Sequence, residues 1–286
     1  MLDRVDRILV AVRDAESVAR RWCDLVDAVI DRRVQVPALG SRKIVLRLGD
    51  AELETHEPTG EGAVASHLQQ AAGPLAAGLA TADLPGLLER LRALGMEGVE
   101  LGEGRWYFND AALGIAGLRV VLSALEPHGR VGLLGSLYEC THLTADAPAS
   151  AAAIARLFGL DASRFVPIRS EQYGYDGALT LFDGNRLHRI ESIDPFDRSK
   201  TMGRYFDRFG PSLYMCYAEA PDLAPIRERL KALAPHDWTG SDGDPNGLFI
   251  HPNATGSTMM GVSRTSFAWS WSGYPERVVP APAQTH

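Results

Sequence analysis

The feature that most constrains this 286-residue sequence is one order of elements that returns four times, in two longer blocks. The apolar strand run Arg7-Ile-Leu-Val-Ala-Val12 leads into Asp14-Ala-Glu-Ser17. Its short polar side chains suit a helix N-terminus, and the helix continues through Trp22 and Leu25. Strand runs at 43–48 and 51–56 follow, broken at Gly49-Asp50 and closed by Glu57-Pro-Thr-Gly60. A second strand-to-helix start lies at Leu79 to Asp83. Its helix stops at Gly95, and strands near 106–108 and 118–122 complete the unit. The order then repeats: a strand at 138–144, a helix opened by Asp146 and closed by Gly159, strands at 177–182 and 186–193, a strand at 213–220, a helix opened by Asp222-Leu223, and closing strands at 247–251 and 257–263.

Register supports the repeat. Asp14 and Asp146 lie 132 residues apart, Pro58 and Pro195 137, and Asp83 and Asp222 139, a drift that small loop insertions produce. The expectation is an α+β chain of four βαβββ units, paired into two open β-cups. Residues 1–125 form the first half, 126–136 a linker, 137–266 the second half and 267–286 an extended, proline-bearing tail. Trp269 and Trp271 are expected to cover the outside of the last strand or to meet a partner chain.

Composition narrows the partners. A formal charge of −7 and a pI near 5.6 oppose binding to a phosphate backbone, so no nucleic acid is expected. No run approaches the roughly 18 apolar residues of a membrane span, and Asp3, Arg4, Asp6 and Arg7 interrupt the place of a signal peptide. Cys23, Cys140 and Cys216 are too few and too scattered for a disulfide framework. A cytoplasmic protein without a membrane partner is expected.

The segments Leu53-Glu-Thr-His-Glu-Pro-Thr-Gly60, Val64-Ala-Ser-His-Leu68 and Gly78-Leu-Ala-Thr-Ala-Asp-Leu84, with Phe249-Ile-His-Pro-Asn-Ala-Thr-Gly256 in the second half, resemble methylmalonyl-CoA epimerase-like members of the vicinal-oxygen-chelate superfamily. That superfamily includes glyoxalases, bleomycin-resistance proteins and extradiol dioxygenases, and the four-unit length is similar to the dioxygenases. The resemblance implies curved cups holding a divalent metal on four strands, where the metal stabilises an enolate or enediolate. It also implies that cups are often completed across a homodimer, a pairing that two halves in one chain can satisfy internally.

Carried onto this sequence, the first-half ligand positions fall on Arg7, Glu54, Ala76 and a residue near Arg119. Arg7 and Arg119 are expected to pair with Glu54 where a cation would stand, with an anion-binding site as the competing reading of this cup. In the second half the positions are Glu139, Glu191, Met215 with Tyr214 beside it, and Gly261. No cofactor is expected from this set; a divalent metal such as Mg²⁺ or Mn²⁺ on Glu139 and Glu191 is the alternative two carboxylates leave open.

Glu139 and Glu191, aimed into one partly apolar cup, are the candidate acid and base, since burial and mutual repulsion raise a carboxyl's pKa. The bland alternative pairs them with Arg189, two residues from Glu191 and on the same strand face. Tyr173, Tyr175, Tyr214, Met215, Arg189 and His251 are the candidate substrate contacts, with packing or loop-fixing as the competing role for the tyrosines and His251. His142 and His188 stand at odd offsets from the two glutamates and belong on the opposite face. The expected function is isomerisation, epimerisation or lyase chemistry by proton transfer on a small carbonyl compound or acyl thioester. The alternatives are a non-catalytic, resistance-type binding protein and a metal-dependent ring-cleaving dioxygenase.

Overall fold

The computed structural model describes residues 2–241 and 243–280. The first half begins with β1 (Arg4–Ala11), α1 (Ala15–Val26), β2 (Val29–Val36), β3 (Ser41–Leu48) and β4 (Ala51–Pro58). After α2 (Ala63–Leu68) come β5 (Gly73–Thr81), α3 (Leu84–Ala93), β6 (Val99–Gly102), β7 (Arg105–Phe108), the single turn α4 (Asp110–Leu113) and β8 (Val120–Ala124). The second half runs through β9 (Ser136–Leu143), α5 (Ala147–Phe158), β10 (Val166–Ser170), β11 (Tyr175–Leu181) and β12 (Arg189–Asp194). It closes with α6 (Thr201–Phe209), β13 (Ser212–Ala220), α7 (Ala224–Leu233), β14 (Trp238–Thr239), β15 (Gly247–Ile250), the turn α8 (Pro252–Thr255) and β16 (Met259–Arg264).

Two eight-stranded sheets share one topology, β2-β3-β4-β1-β5-β8-β7-β6 and β10-β11-β12-β9-β13-β16-β15-β14. β1 pairs parallel with β4 and antiparallel with β5, and β9 pairs in the same way with β12 and β13. The expected α+β fold with four βαβββ units is therefore the observed one.

Local chemistry explains where the main helices begin. Asp14, Asp83 and Asp146 each accept a hydrogen bond from the backbone three residues on, at 2.9, 2.9 and 2.8 Å, and so satisfy otherwise orphaned N–H groups. Gly159 ends α5 at φ 65°, a left-handed conformation that glycine adopts without a Cβ penalty. Along α1 the buried positions Ala15, Val18, Ala19, Trp22, Leu25 and Val26 recur at helical spacing. They pack into one apolar core that also takes Ile154 and Leu157 of α5 and Ile226 of α7, so the halves share their interior. Truncating an indole as deeply buried as Trp22 costs about 3–5 kcal/mol.

Two parts of the chain depart from expectation. The tail is not extended: Phe267–Trp271 and Pro275–Arg277 are 3₁₀ turns, and Trp269 is buried beside Tyr138 and Leu187 instead of covering the last strand from outside. Burial of the indole outweighs the extended preference of the prolines, and Arg264 Nη1 fixes the return by donating to the Val279 carbonyl at 2.7 Å. Residues 281–286 of the expected tail lie outside the described residues. Strands β2, β6, β10 and β14, edge strands that are largely exposed and lack a clear apolar run, have no counterpart in the sequence reading, and neither has helix α6. Among the described residues no helix is long and apolar enough to cross a membrane.

Candidate active site

The two concave sheet faces have opposite contents. In the first, Leu9, Ala11, Leu75, Ala76, Tyr107 and Val121 meet Val64 and Leu68 of α2, Val36 at the end of β2 and Leu39 from the β2–β3 connection in a closed apolar cluster. The cup is plugged by its own chain. Its charged rows are equally committed. Glu54 lies 3.1 Å from Lys43 Nζ and 3.0 Å from His56 Nε2, and it also pairs with Arg105. Glu52 accepts from Arg105 at 2.8 Å and from Arg32 at 3.2 Å. Burial works against ionisation of Glu54, but the bond to His56 and the charges of Lys43 and Arg105 outweigh it and hold the carboxyl well below its ordinary range.

This arrangement corrects the expected first-half network. Arg7 pairs with Asp6 and approaches Glu52 at 3.7 Å, while Arg119 lies 3.0 Å from His67 and 3.5 Å from Asp110, so neither is the partner of Glu54. Arg119 also precedes β8; the strand residue in register with Gly78 of β5 is Val121.

In the second half a cavity of about 840 Å³ opens over the sheet. Its wall is built from Tyr175 of β11, Glu191 of β12, Met215 and Tyr217 of β13, Phe249 of β15 and Met259 of β16. Helix α6 spans another side with Met202, Tyr205 and Phe209, and Ala71, Ala72 and Pro74 of the first half close a third. That size and apolar character suit a small organic ligand.

The predicted residues divide into two layers. Glu191, Tyr173, Tyr175, Tyr214, Met215 and His251 all line the cavity. Glu139 and Arg189 do not; they lie beneath it, fully buried, with Arg189 Nε donating to Glu139 Oε2 at 2.6 Å. Arg189 Nη1 also donates to Ser272 Oγ at 2.8 Å, and its guanidinium stacks 5.0 Å from the Tyr138 ring centre. The expectation that Glu139 and Glu191 both open into the cup is corrected here: Arg189 takes Glu139, and Glu191 alone reaches the cavity. Thr141 joins them, its hydroxyl donating to Glu191 Oε2 at 2.8 Å and lying 3.3 Å from Glu139 Oε1. Among the described residues no cation lies within ion-pair distance of Glu191. Burial, and then the negative charge of Glu139, push its carboxyl well above the ordinary range.

The third expected ligand position also needs correction. Met215 is in register with Thr141, whereas the residue opposite Glu139 is Tyr217, whose other neighbour is Gly261. A Cβ on Gly261 would stand 2.2 Å from the Tyr217 ring, so the missing side chain is what lets that ring lie across the last ligand position. Tyr217 was not predicted. Its signal was the two-residue spacing from Met215, which puts both on one strand face, but its row depends on the register of β9 against β13 and on the irregularities flanking it. Helix α6 could have been found from Met202, Tyr205, Phe206 and Phe209, spaced at three, four and seven residues.

Tyr173 lies edge-on to Phe249 with centroids 6.3 Å apart, and burial raises the Tyr175 phenol above its ordinary range. Burial raises Tyr214 to about 12. His251 caps the short α8 and lies 2.7 Å from Thr239 Oγ1, so it both fixes the loop and faces the cavity. His142 is on the other face as its offset requires, buried and bonded to the Ala116 carbonyl at 2.8 Å, with burial lowering it to about 4. His188 also stays out of the cavity, and burial lowers it to about 3.

The donors present do not fit the metal that the fold implies. Glu139 is neutralised by Arg189, Gly261 offers no side chain, and a phenol lies over it. Among the described residues no group of three or more His, Cys, Asp or Glu side chains is placed to hold a metal ion.

No protein-family model matches the sequence, and no curated protein matches it significantly. Among solved structures, a mutant of 4-hydroxymandelate synthase from Streptomyces coelicolor matches with a TM-score of 0.67 at 15% identity, over 92% of this chain and 93% of that one. A fusion of a xylose isomerase-like TIM barrel with 4-hydroxyphenylpyruvate dioxygenase matches with a TM-score of 0.61 at 12% identity, over 92% of this chain and 49% of that one. Methylmalonyl-CoA epimerase from Mycobacterium tuberculosis covers 46% of this chain and 89% of its own at 20% identity, with a TM-score of 0.38. The chain has the vicinal-oxygen-chelate fold, as the sequence motifs led one to expect.

Proposed function

We propose that the second half is an enzyme active site for proton transfer on a small carbonyl compound or acyl thioester, an isomerase, epimerase or lyase reaction, with Glu191 as the group that takes the proton from carbon and returns it. The observation carrying this reading is a single carboxyl at the base of an apolar cavity, hydrogen-bonded by Thr141 and without a cation of its own. A carboxyl raised in this way is a stronger base in its ionised form: Glu191 takes the proton from the carbon next to the carbonyl, leaving the C–H electron pair as an enolate, and the carboxyl so formed returns the proton to that carbon. Glu139 and Arg189 act behind it. The ion pair fixes Glu139 in place, and Glu139 in turn tunes and orients Glu191. Tyr175 and Tyr217 flank the acid as neutral phenols able to hydrogen-bond a substrate carbonyl. The aromatic and methionine walls exclude water and strengthen these interactions.

The test uses a panel of 2-substituted acyl thioesters and 2-oxo acids in deuterium oxide, with carbon-bound exchange followed by NMR. Glu191→Gln keeps the shape and the Thr141 hydrogen bond, and its expected effect is a loss of exchange of about 10²-fold or more. Exchange unchanged in that variant would remove Glu191 from the chemistry.

The second reading, a non-catalytic binding protein, is favoured by the depth and apolar lining of the cavity and by the Glu139–Arg189 ion pair. It predicts tight ligand binding with no exchange in either protein.

A further inference from the structure

We infer that the cavity takes an aromatic anion, with its ring system against the aromatic and methionine walls and its charged group at the mouth on Arg204 and Lys200. The inference rests on the cavity being the ligand site proposed above, and adds a subsite and a substrate class to it.

The interior is suited to flat apolar groups. Tyr175, Tyr205, Tyr217 and Phe249 present ring faces and edges, and Met202 and Met259 add polarizable, adaptable surface between them. Tyr217 and Phe249 already stand edge to face at 5.8 Å, and Tyr205 and Tyr214 at 5.0 Å, so aromatic edges and faces are both part of the lining.

The opening is different. Arg204, on the first turn of α6, and Lys200, just before it, line the same cavity from its exposed edge. Their charges are unevenly balanced. Lys200 Nζ is 3.7 Å from Asp197 and bonds to the Glu171 carbonyl. Arg204 reaches only neutral oxygens, the Ser199 carbonyl and the Thr201 hydroxyl, and among the described residues no carboxylate lies within ion-pair distance of it. Arg204 and Lys200 therefore place positive charge at the lip of this cavity, and the Arg204 guanidinium meets no carboxylate there. Its planar donors match a carboxylate, sulfonate or phosphate group. The exposed Tyr173 ring at the same lip offers a further stacking surface.

The experiment compares two fluorescent probes with the same rings, anionic anilinonaphthalene sulfonate and neutral phenylnaphthylamine, titrated against the full chain at low salt. The anionic probe is expected to bind about tenfold more tightly. In Arg204→Gln, at an exposed position where folding is not at stake, that preference should shrink to about two- to threefold while the neutral probe is unaffected. Adding Lys200→Gln should remove it. Met215→Trp or Met259→Trp, which fill the cavity from neighbouring strands, should abolish binding of both probes.

A preference unchanged in Arg204→Gln overturns the subsite. Binding that survives the filled cavity, or no binding to the wild-type chain, overturns the proposal altogether. Glu191→Gln separates it from the catalytic reading: a preference retained there, with proton exchange also unchanged, leaves the subsite standing and removes the chemistry.

Discussion

Glu54 and Glu191 occupy the same place in two copies of one fold, and their surroundings drive them in opposite directions. Glu54 pairs in register with Leu9 of β1, as Glu191 does with Thr141 of β9. Around Glu54 the chain has gathered Lys43, Arg105 and His56 and sealed the cup with α2. Around Glu191 there is a hydroxyl, a second carboxylate and a cavity. One row below, the ion pair is reversed between the halves: Arg7 faces Glu52 in the first, Glu139 faces Arg189 in the second. A fold position thus sets where a carboxyl points, while the residues brought to it from edge strands and connections set what it can do. The first cup uses its acid to anchor cations; the second leaves one facing the cavity without a cation.

The largest predicted separation between the cups is in stability. Glu54→Gln leaves Lys43 and Arg105 buried with less counter-charge and should cost about 3 kcal/mol in chemical denaturation. Glu191→Gln orphans no cation and should cost under about 1 kcal/mol, or stabilise. Equal losses would dissolve the contrast.

A smaller effect separates the two glycines of the equivalent rows. A Cβ on Gly78 would lie 1.8 Å from Arg7 Cγ in a filled cup, whereas a Cβ on Gly261 would meet a Tyr217 ring that can swing into the cavity. Gly78→Ala should therefore cost about 1–3 kcal/mol, and Gly261→Ala distinctly less in thermal unfolding.

The smallest effect is in pH dependence. Glu191 is raised, so the folded chain keeps a proton that the unfolded chain releases; its contribution is present below the unfolded value of about 4.5 and is lost as pH rises through the folded value. Glu54 is lowered, and its contribution is present above about 4.5 and lost as pH falls toward the folded value. Between pH 5 and the folded value of Glu191, the wild-type chain should lose up to about 1.4 kcal/mol per pH unit relative to Glu191→Gln. Parallel curves for the two proteins would mean that Glu191 titrates alike in both states.

Much of the fold was legible because it is written locally. Asp14, Asp83 and Asp146 cap helices that an aspartate before an apolar periodicity announces, and their spacing shows the repeat. The candidate site was legible in part. Tyr173, Tyr175, Tyr214, Met215, Glu191 and His251 line one cavity, because strand alternation and the motif resemblance both point there. What sequence did not reveal depends on distant pairings. The β9–β13 register puts Tyr217 opposite Glu139, the C-terminal turn brings Ser272 to Arg189, and α2 with Val36 and Leu39 fills the first cup. Local propensity carries none of these.

The most direct test of the difference between the cups is a carboxyl-carbon NMR titration of the chain labelled at glutamate, with Glu54→Gln and Glu191→Gln used to assign the two resonances. The prediction is that Glu191 remains protonated well above the range of surface glutamates while Glu54 stays ionised well below it. Two resonances titrating together in the ordinary carboxylate range would contradict it.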